Sequence, residues 1–233
     1  MNPKSNATAL TEFDVLHIAD SALPVGGFAF SNGLESAFKL GMIRNRPEFD
    51  AYVQNLIDQL LGMDLPFLRS MHAGAEQPDQ VLAEILEDWA ASLASAPAQR
   101  CSLRQGKGML RWLQTVHPSC DMMSFSTWLQ NETLNPHYLP VFAIGLARCG
   151  LSLERVEHLY LFIAIRDQMS AAVRLGMLGP MDAQCLQHTL QAYAFDAYRT
   201  SPIRNHADAA RSCPLVELAQ AYHDNLYSRL FQN

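Results

Sequence analysis

The spacing of apolar residues is helical along almost the whole chain, and this limits the possible folds more than any other feature. Between residues 47 and 61, apolar side chains recur three and four positions apart, as on one face of an α-helix. Pro47 stands where a first helical residue is expected, and Gly62 lies just past the end. The same pattern predicts further helices over about 65–75, 79–93, 97–116, 125–130, 138–149, 153–175, 180–199 and 215–230.

The helix predicted over about 153–175 should be central and buried, because its middle, residues 159–165, is apolar on every side. Residues 200–214 contain two prolines among polar residues and are typical of a loop or mobile linker. A C-terminal helix and tail should follow over 215–233. Since no repeat or domain boundary stands out, we predict one compact all-α domain over residues 1–233, with about ten helices.

The composition is that of a globular protein. The 233 residues are 49% hydrophobic and 17% charged, which is enough for a sizeable core. The net charge is −6, and no basic stripe stands out in the sequence, so nucleic acid is not an expected partner.

The sequence also favours a cytoplasmic location. Residues 1–12 lack the basic and apolar regions of a signal peptide, and the longest strongly apolar run, 159–165, is too short to span a membrane. Five widely spaced cysteines are typical of free thiols in a reducing compartment.

No catalytic, cofactor or metal motif is complete. The sequence Gln105-Gly106-Lys107-Gly108 resembles part of a phosphate-binding loop, but it lacks the first glycine and the final Ser or Thr and falls within a helical pattern. Cys185 and His188 are one helical turn apart, but two ligands do not close a metal site. We therefore expect no catalytic residues, no cofactor and no metal ligands, and we favour a binding or scaffold protein.

A glycine-rich segment, residues 20–35, lies between two helical patterns. Pro24 restricts the backbone, while Gly26 and Gly27 permit turn conformations that other residues avoid. Asn32 and Glu35 have the spacing of a capping box, so we predict that they start the next helix. An acid–base pair of Asp20 with Glu35 is the alternative.

Three stretches of the chain resemble the urease accessory protein UreF family. The first follows the family pattern D-S-x-x-P-x-G-G-x-x-x-S-x-G-L-E over residues 20–35. The second, residues 171–184, is similar to A-A-x-R-L-x-x-L-G-x-x-x-x-Q, and the third, residues 227–231, to Y-S-R-L-F. Their order and separation also match, and the resemblance is weakest over residues 64–137.

The chain departs from the family pattern at three places. It ends in Gln232-Asn233 where members often have Arg-Ser, Phe30 stands where many have His, and Pro180 stands where many have Gln. A basic contact at the extreme C-terminus and a polar role for residue 30 are therefore not expected.

The resemblance implies a non-enzymatic urease maturation factor with a helical fold. Such proteins bridge a UreD (UreH) scaffold and the GTPase UreG, typically as a dimer, and support GTP-dependent delivery of nickel to apo-urease. The nucleotide chemistry would then belong to the GTPase. A small helical hydrolase and a metal carrier using Cys185 and His188 remain the alternatives.

The motif residues are the candidates for partner binding. The turn residues could form either a tight interhelical connection or a rigid surface, because loops on rigid scaffolds often carry recognition. Arg174 should interact with the dipole of its own helix, and an arginine finger toward a GTPase is the alternative. The full candidate set is Pro24, Gly26, Gly27, Phe28, Ser31, Glu35, Arg174, Tyr227, Ser228, Arg229, Leu230 and Phe231.

The C-terminal cluster of aromatic and apolar residues is the strongest candidate. Such a cluster docks either on its own core or on a partner, and Tyr and Arg are favoured anchors of interfaces. We expect the tail to become ordered when the UreD-like partner binds.

Overall fold

The computed structural model describes residues 10–232; residues 1–9 and 233, at the two ends of the predicted domain, lie outside this range. The described residues form eleven α-helices and no strand, which confirms the all-α prediction. The helices are α1 (Glu12–Ile18), α2 (Leu34–Lys39), α3 (Arg46–Gln59), α4 (Leu65–Ala73), α5 (Gln80–Ser92), α6 (Ala96–Val116), α7 (Met122–Asn131), α8 (Tyr138–Arg148), α9 (Leu153–Arg174), α10 (Pro180–Thr200) and α11 (Pro214–Ala221).

Several helix ends follow the local chemistry. The Asp79 carboxylate caps α5 by accepting a hydrogen bond of 2.9 Å from the backbone N–H of Leu82. Ser95 caps α6, and Pro97 lies in its first turn, where its missing N–H costs no hydrogen bond. Gly150 follows α8 with φ of +82°, as expected for a glycine beyond a helix end.

Other predicted caps are wrong. The N-cap of α2 is Gly33, with φ of +91°, and neither Asn32 nor Glu35 makes a capping-box hydrogen bond. The Ser31 hydroxyl instead accepts from the backbone N–H of Glu35. Asp64 and Ser152 stand just before helices predicted from 65 and 153, where their side chains would be expected as caps, but neither makes a side-chain cap. At Asp64 the reason is that the helix does not stop at Gly62: a π-helical segment, Leu60–Asp64, joins α3 to α4.

The apolar side chains form one core. α8 is packed within it against α4, α6 and α9, and the side chains from Val141 to Ile144 are fully buried. α9 packs against α3, α4, α8 and α10, as its apolar middle predicts, although Tyr160, Phe162 and Ala164 are only half-buried.

The two glycines inside α6, Gly106 and Gly108, allow backbone segments outside the helix to approach it closely. A Cβ on Gly106 would lie 2.0 Å from the carbonyl oxygen of Pro136, just before α8 begins. A Cβ on Gly108 would lie 3.0 Å from the Cα of Val25, in the glycine-rich segment. α6 therefore supports two backbone segments at once.

The final helix is shorter than predicted. α11 ends at Ala221 rather than near residue 230, and a short 3-10 helix, Tyr222–Asn225, follows. Residues 226–232 then run on without helix. The sequence pattern alone could not show this, because the backbone N–H groups of Leu230 and Phe231 find an acceptor elsewhere in the fold, as described below.

Residues 201–213, the part of the predicted linker 200–214 that lies between α10 and α11, make several contacts with the helical body. The backbone N–H of Ala210 donates to the Gly62 carbonyl at 2.9 Å, and that of His206 donates to the Ser70 hydroxyl at 3.1 Å. Arg211 pairs with Glu217 and donates to the Ser92 carbonyl at 2.7 Å.

The expectation of five free thiols is wrong for two of them. Cys120 and Cys149 form a disulfide between the turn before α7 and the end of α8, because the fold brings these distant positions together. Cys101, Cys185 and Cys213 are free.

Candidate interaction surface

The structure brings the three sequence motifs together. The turn at Gly27 and Phe28, the end of α9 at Arg174, and the C-terminal residues 226–232 meet on one face of the protein. We call residues 226–232 the tail, and the face that they form with Phe28 and Arg174 the tail surface. Sequence reasoning named these residues as separate candidates but could not show that they are neighbours.

Glu35 holds the tail through its backbone. Its carboxylate oxygens accept hydrogen bonds from the backbone N–H of Leu230 at 2.7 Å and of Phe231 at 3.2 Å. Lys39 Nζ donates to the same carboxylate at 2.7 Å. The Glu35 side chain is completely buried, so it anchors the tail instead of capping α2.

The environment of Glu35 favours its charged form. Burial alone would raise the pKa of this carboxyl, but the hydrogen bonds from Lys39, Leu230 and Phe231 outweigh it and lower the pKa below 4.5. His223 Nδ1 lies 4.0 Å from Glu35, and burial lowers the pKa of this imidazole below 6.5. At neutral pH, the tail is therefore held by an ionised carboxylate beside a neutral imidazole.

Arg174 lies between two aromatic rings. Its guanidinium carbon is 3.9 Å from the centre of the Phe28 ring and 4.2 Å from that of Phe231. It also donates to the Phe28 carbonyl. Cation–π contacts on both faces fix this side chain, so it connects the glycine-rich turn to the tail.

Both ends of the tail are attached to the helical body. Near its start, Lys39 Nζ donates to the Ser228 carbonyl at 2.6 Å. At its end, the backbone N–H of Gln232 donates to the Ala29 carbonyl at 2.8 Å. In the chain by itself, the tail is thus docked on its own body.

The tail surface still exposes large apolar groups. Tyr227 is fully exposed, and Phe28 and Leu230 retain 55% and 51% of their accessible surface. Phe231 is buried, at 4%. The tail therefore uses Phe231 to anchor itself and presents Tyr227 and Leu230 to solvent.

Three of the candidate residues belong to the backbone that precedes or follows Phe28. The Pro24 carbonyl lies beside Gly108 of α6, and Ser31 is buried, with its carbonyl accepting from Gln168 at 3.3 Å. Gly26 has φ of +86° and starts the 3-10 turn Gly27–Ala29. These residues shape the turn that supports Phe28.

Sequence reasoning missed several residues that support the tail. Lys39 and His223 touch the anchor, and Asp224 accepts two hydrogen bonds from Arg100, at 2.7 and 2.8 Å. Gly33 lets α11 approach, because a Cβ there would lie 3.1 Å from the backbone nitrogen of Gln220. Lys39 was detectable, since it stands four residues after Glu35, where helical ion pairs form.

A cavity of about 160 Å³ lies between α3, α6, α9 and the α11 region. Asp64, Asp167, Gln59 and Gln168 are among its lining residues. Burial raises the pKa of Asp64 to about 6, although the Tyr160 hydroxyl donates to it at 2.7 Å. Burial also raises the pKa of Asp167.

Asp20 and Glu35, the alternative acid–base pair, are each engaged by other groups of residues 10–232. The Asp20 carboxylate accepts from the backbone N–H of Ala22, while Glu35 is engaged by the tail. In residues 10–232, no three His, Cys, Asp or Glu side chains are grouped to hold a metal ion. Within the same range, no helix has the length and apolar character needed to cross a membrane.

The fold and this geometry define an all-helical protein whose sequence motifs build a surface around a docked tail. The family model described as UreF matches residues 43–191. The chain is 30% identical to urease accessory protein F of Oryza sativa subsp. indica over 92% of this chain and 82% of the relative. It is 27% identical to urease accessory protein F of Arabidopsis thaliana over 97% of this chain and 95% of the relative. The protein therefore belongs to the UreF family of urease accessory proteins.

A bacterial relative agrees with this assignment. The urease accessory protein UreF of Alkalilimnicola ehrlichii is 26% identical over 91% of each chain. The family model covers the motif at residues 171–184, whereas the other two motifs lie outside its range. A role in urease maturation follows from membership of the family.

Proposed function

We propose that this chain is a non-enzymatic, cytoplasmic maturation factor that binds a UreD/UreH-type scaffold through the tail surface. In this role it acts as a homodimer, bridges the scaffold to a UreG-type GTPase, and supports GTP-dependent insertion of nickel into apo-urease. Nickel is the cargo of the assembly, and this chain needs no cofactor of its own.

The convergence of the three motifs on one surface is the observation that supports this proposal. Tyr227, Leu230 and Phe28 are large and exposed; Glu35 holds the backbone of Leu230, and Arg174 holds the ring of Phe28. An interface gains affinity when its aromatic anchors are ordered before binding, because less conformational entropy is lost. The tail surface has both properties.

The tail is already docked in the isolated chain, which changes the expectation that it orders only on binding. A partner that covers Tyr227 and Leu230 would meet a preformed surface. Phe231 and the backbone of the tail would remain on their own body.

Binding of the purified scaffold tests the proposal. The double variant Tyr227→Ala/Leu230→Ala should bind at least about tenfold more weakly, since it removes two exposed anchors. The control Phe195→Ala/Ile203→Ala removes exposed apolar groups elsewhere and should bind as the unaltered chain does. Deleting residues 225–233 should abolish binding while leaving helicity nearly intact.

Cells that carry the urease operon without this gene provide the functional readout. Supplying nickel and the unaltered chain should restore ureolysis, and the tail-surface variant should not. Equal restoration by both chains would contradict the assignment of the tail surface. No restoration by the unaltered chain, with partners from the same source, would contradict the maturation role itself.

A further inference from the structure

The exposed face of α6 carries four cations in a row, which the overall composition conceals. Arg100, Arg104, Lys107 and Arg111 follow one another at helical spacing, and all four are exposed. α6 contains no Asp or Glu. Eleven residues of helix place the first and last of these Cα atoms roughly 16 Å apart along the axis. We call these four residues the basic stripe. The expectation that the chain has no basic stripe is therefore wrong for the exposed face of α6.

The stripe differs from the start of α3. There, exposed arginines are paired with carboxylates one helical turn away, Arg44 with Glu48 and Arg46 with Asp50. In the part of the chain that the structure describes, no carboxylate lies within ion-pair distance of Arg104, Lys107 or Arg111. Like charges at this spacing repel one another, so the isolated helix gains nothing from them.

The stripe is continuous with the tail surface. Arg100 binds Asp224 just before the tail, and Arg104 Nη1 donates to the Gln232 side chain at 3.4 Å. Arg229 of the tail also faces Asp224, at 3.5 Å. A partner that covers Tyr227 and Leu230 would therefore meet the stripe beside them.

We infer that the basic stripe is a second part of the scaffold-binding interface and that it fits a carboxylate-rich face of the protein that binds the tail surface. This inference rests on the proposed function. Charge complementarity steers partners together and fixes their orientation. A protein with acidic side chains fits better than nucleic acid, because the net charge of −6 repels an extended polyanion.

Charge reversal tests the stripe. We would measure binding of the UreD/UreH-type scaffold to Lys107→Glu/Arg111→Glu at low and high NaCl. The control Arg199→Glu/Arg204→Glu changes the net charge by the same amount. The stripe variant should bind at least about tenfold more weakly at low salt and lose most of the salt dependence. The control should keep both the affinity and the salt dependence, and circular dichroism should show intact helices in each chain.

Three results would overturn the inference. The stripe variant could bind the scaffold as the control does, with Tyr227→Ala/Leu230→Ala still defective; the proposed function would then stand and the stripe would lie outside the interface. The unaltered chain could fail to bind the scaffold, which would remove both proposals. Finally, a short DNA duplex could bind the stripe more tightly than the scaffold does, which would assign it to nucleic acid.

Discussion

At the scale of single residues, Glu35 shows how a polar side chain can determine where a chain segment lies. Its family motif ends at this position, and its spacing from Asn32 is that of a capping box. In the structure, however, its carboxylate is buried and accepts two backbone N–H groups from the tail. A buried carboxylate is tolerated only when it is paired and hydrogen-bonded, and the tail supplies that compensation.

Replacing Glu35 by Gln should release the tail. An amide cannot accept from both N–H groups and from Lys39 at once, so we expect a loss of about 1–3 kcal/mol in the stability of the docked tail. Hydrogen exchange at the amides of Leu230, Phe231 and Gln232 would measure it. The control Glu48→Gln alters only an exposed pair with Arg44 and should leave these rates unchanged. Full protection in Glu35→Gln would contradict the anchoring role.

Asp64 should make the stability of the protein depend on pH. Its pKa is raised from 3.8 to about 6 by burial, so the folded protein holds this proton more tightly than the unfolded chain. The resulting stabilisation is present below pH 3.8 and is lost as the pH rises through 6. Asp64→Asn should therefore gain stability relative to the unaltered protein between pH 4 and 7, by about 1–3 kcal/mol.

Denaturant unfolding of both proteins across this pH range checks the prediction. The amide oxygen of Asn can still accept from Tyr160, so the substitution preserves that contact. A difference in free energy of unfolding that does not change with pH would show that Asp64 keeps the same pKa in both states.

At the scale of helices, the spacing of apolar residues and the Gly and Pro signals were sufficient to predict most elements. Helices α5, α6, α8, α9 and α10 begin and end within a few residues of their predicted bounds. The failures occur where a distant group competes with local preference. The end of the predicted last helix is an example: Leu230 and Phe231 stay outside any helix because Glu35, nearly two hundred residues away in sequence, takes their N–H groups.

Gly106 illustrates a helix position at which local preference and packing disagree. Ala favours helix more than Gly by about 1 kcal/mol, so propensity predicts that Gly106→Ala is stabilising. The Cβ would meet backbone atoms of Pro136, His137 and Tyr138 at 2.0 to 2.8 Å, and none of them is a flexible side chain. We therefore expect a net loss of about 1–3 kcal/mol or more in the free energy of unfolding.

Chemical denaturation of Gly106→Ala, with Thr115→Ala measured as a control, separates the effect of helix propensity from that of the contact with the start of α8. Thr115 is exposed on the same helix, so its substitution should change stability by less than about 1 kcal/mol. Equal stability of the two variants would mean that the start of α8 can move away from α6 without cost.

At the scale of the whole molecule, one hydrophobic core connects the helices from α1 to α11. We expect thermal unfolding of residues 1–233 to occur in a single cooperative transition, with equal calorimetric and van't Hoff enthalpies per cooperative unit. Differential scanning calorimetry would check this. Two resolved transitions would contradict the prediction of a single domain.

The sequence predicted the fold class and the bounds of most helices better than it predicted the arrangement of the motif residues. The motifs were visible because Gly, Pro and aromatic residues leave local patterns. Their convergence was not, because Arg174 meets Phe28 and Phe231 through tertiary packing that no local spacing encodes. The basic stripe was missed for another reason. The net charge of the whole chain conceals a local excess of positive charge on one face of α6.

The contact between Glu35 and Phe231 spans 196 positions of the chain. Contacts between distant positions form late, since they need the intervening chain to be in place. During synthesis on the ribosome, the tail surface can be completed only after residue 232 has been made. A product that terminates before the tail would lack this surface even where its helices had formed, so a partner that recognises the tail surface would select chains that contain the tail over shorter ones.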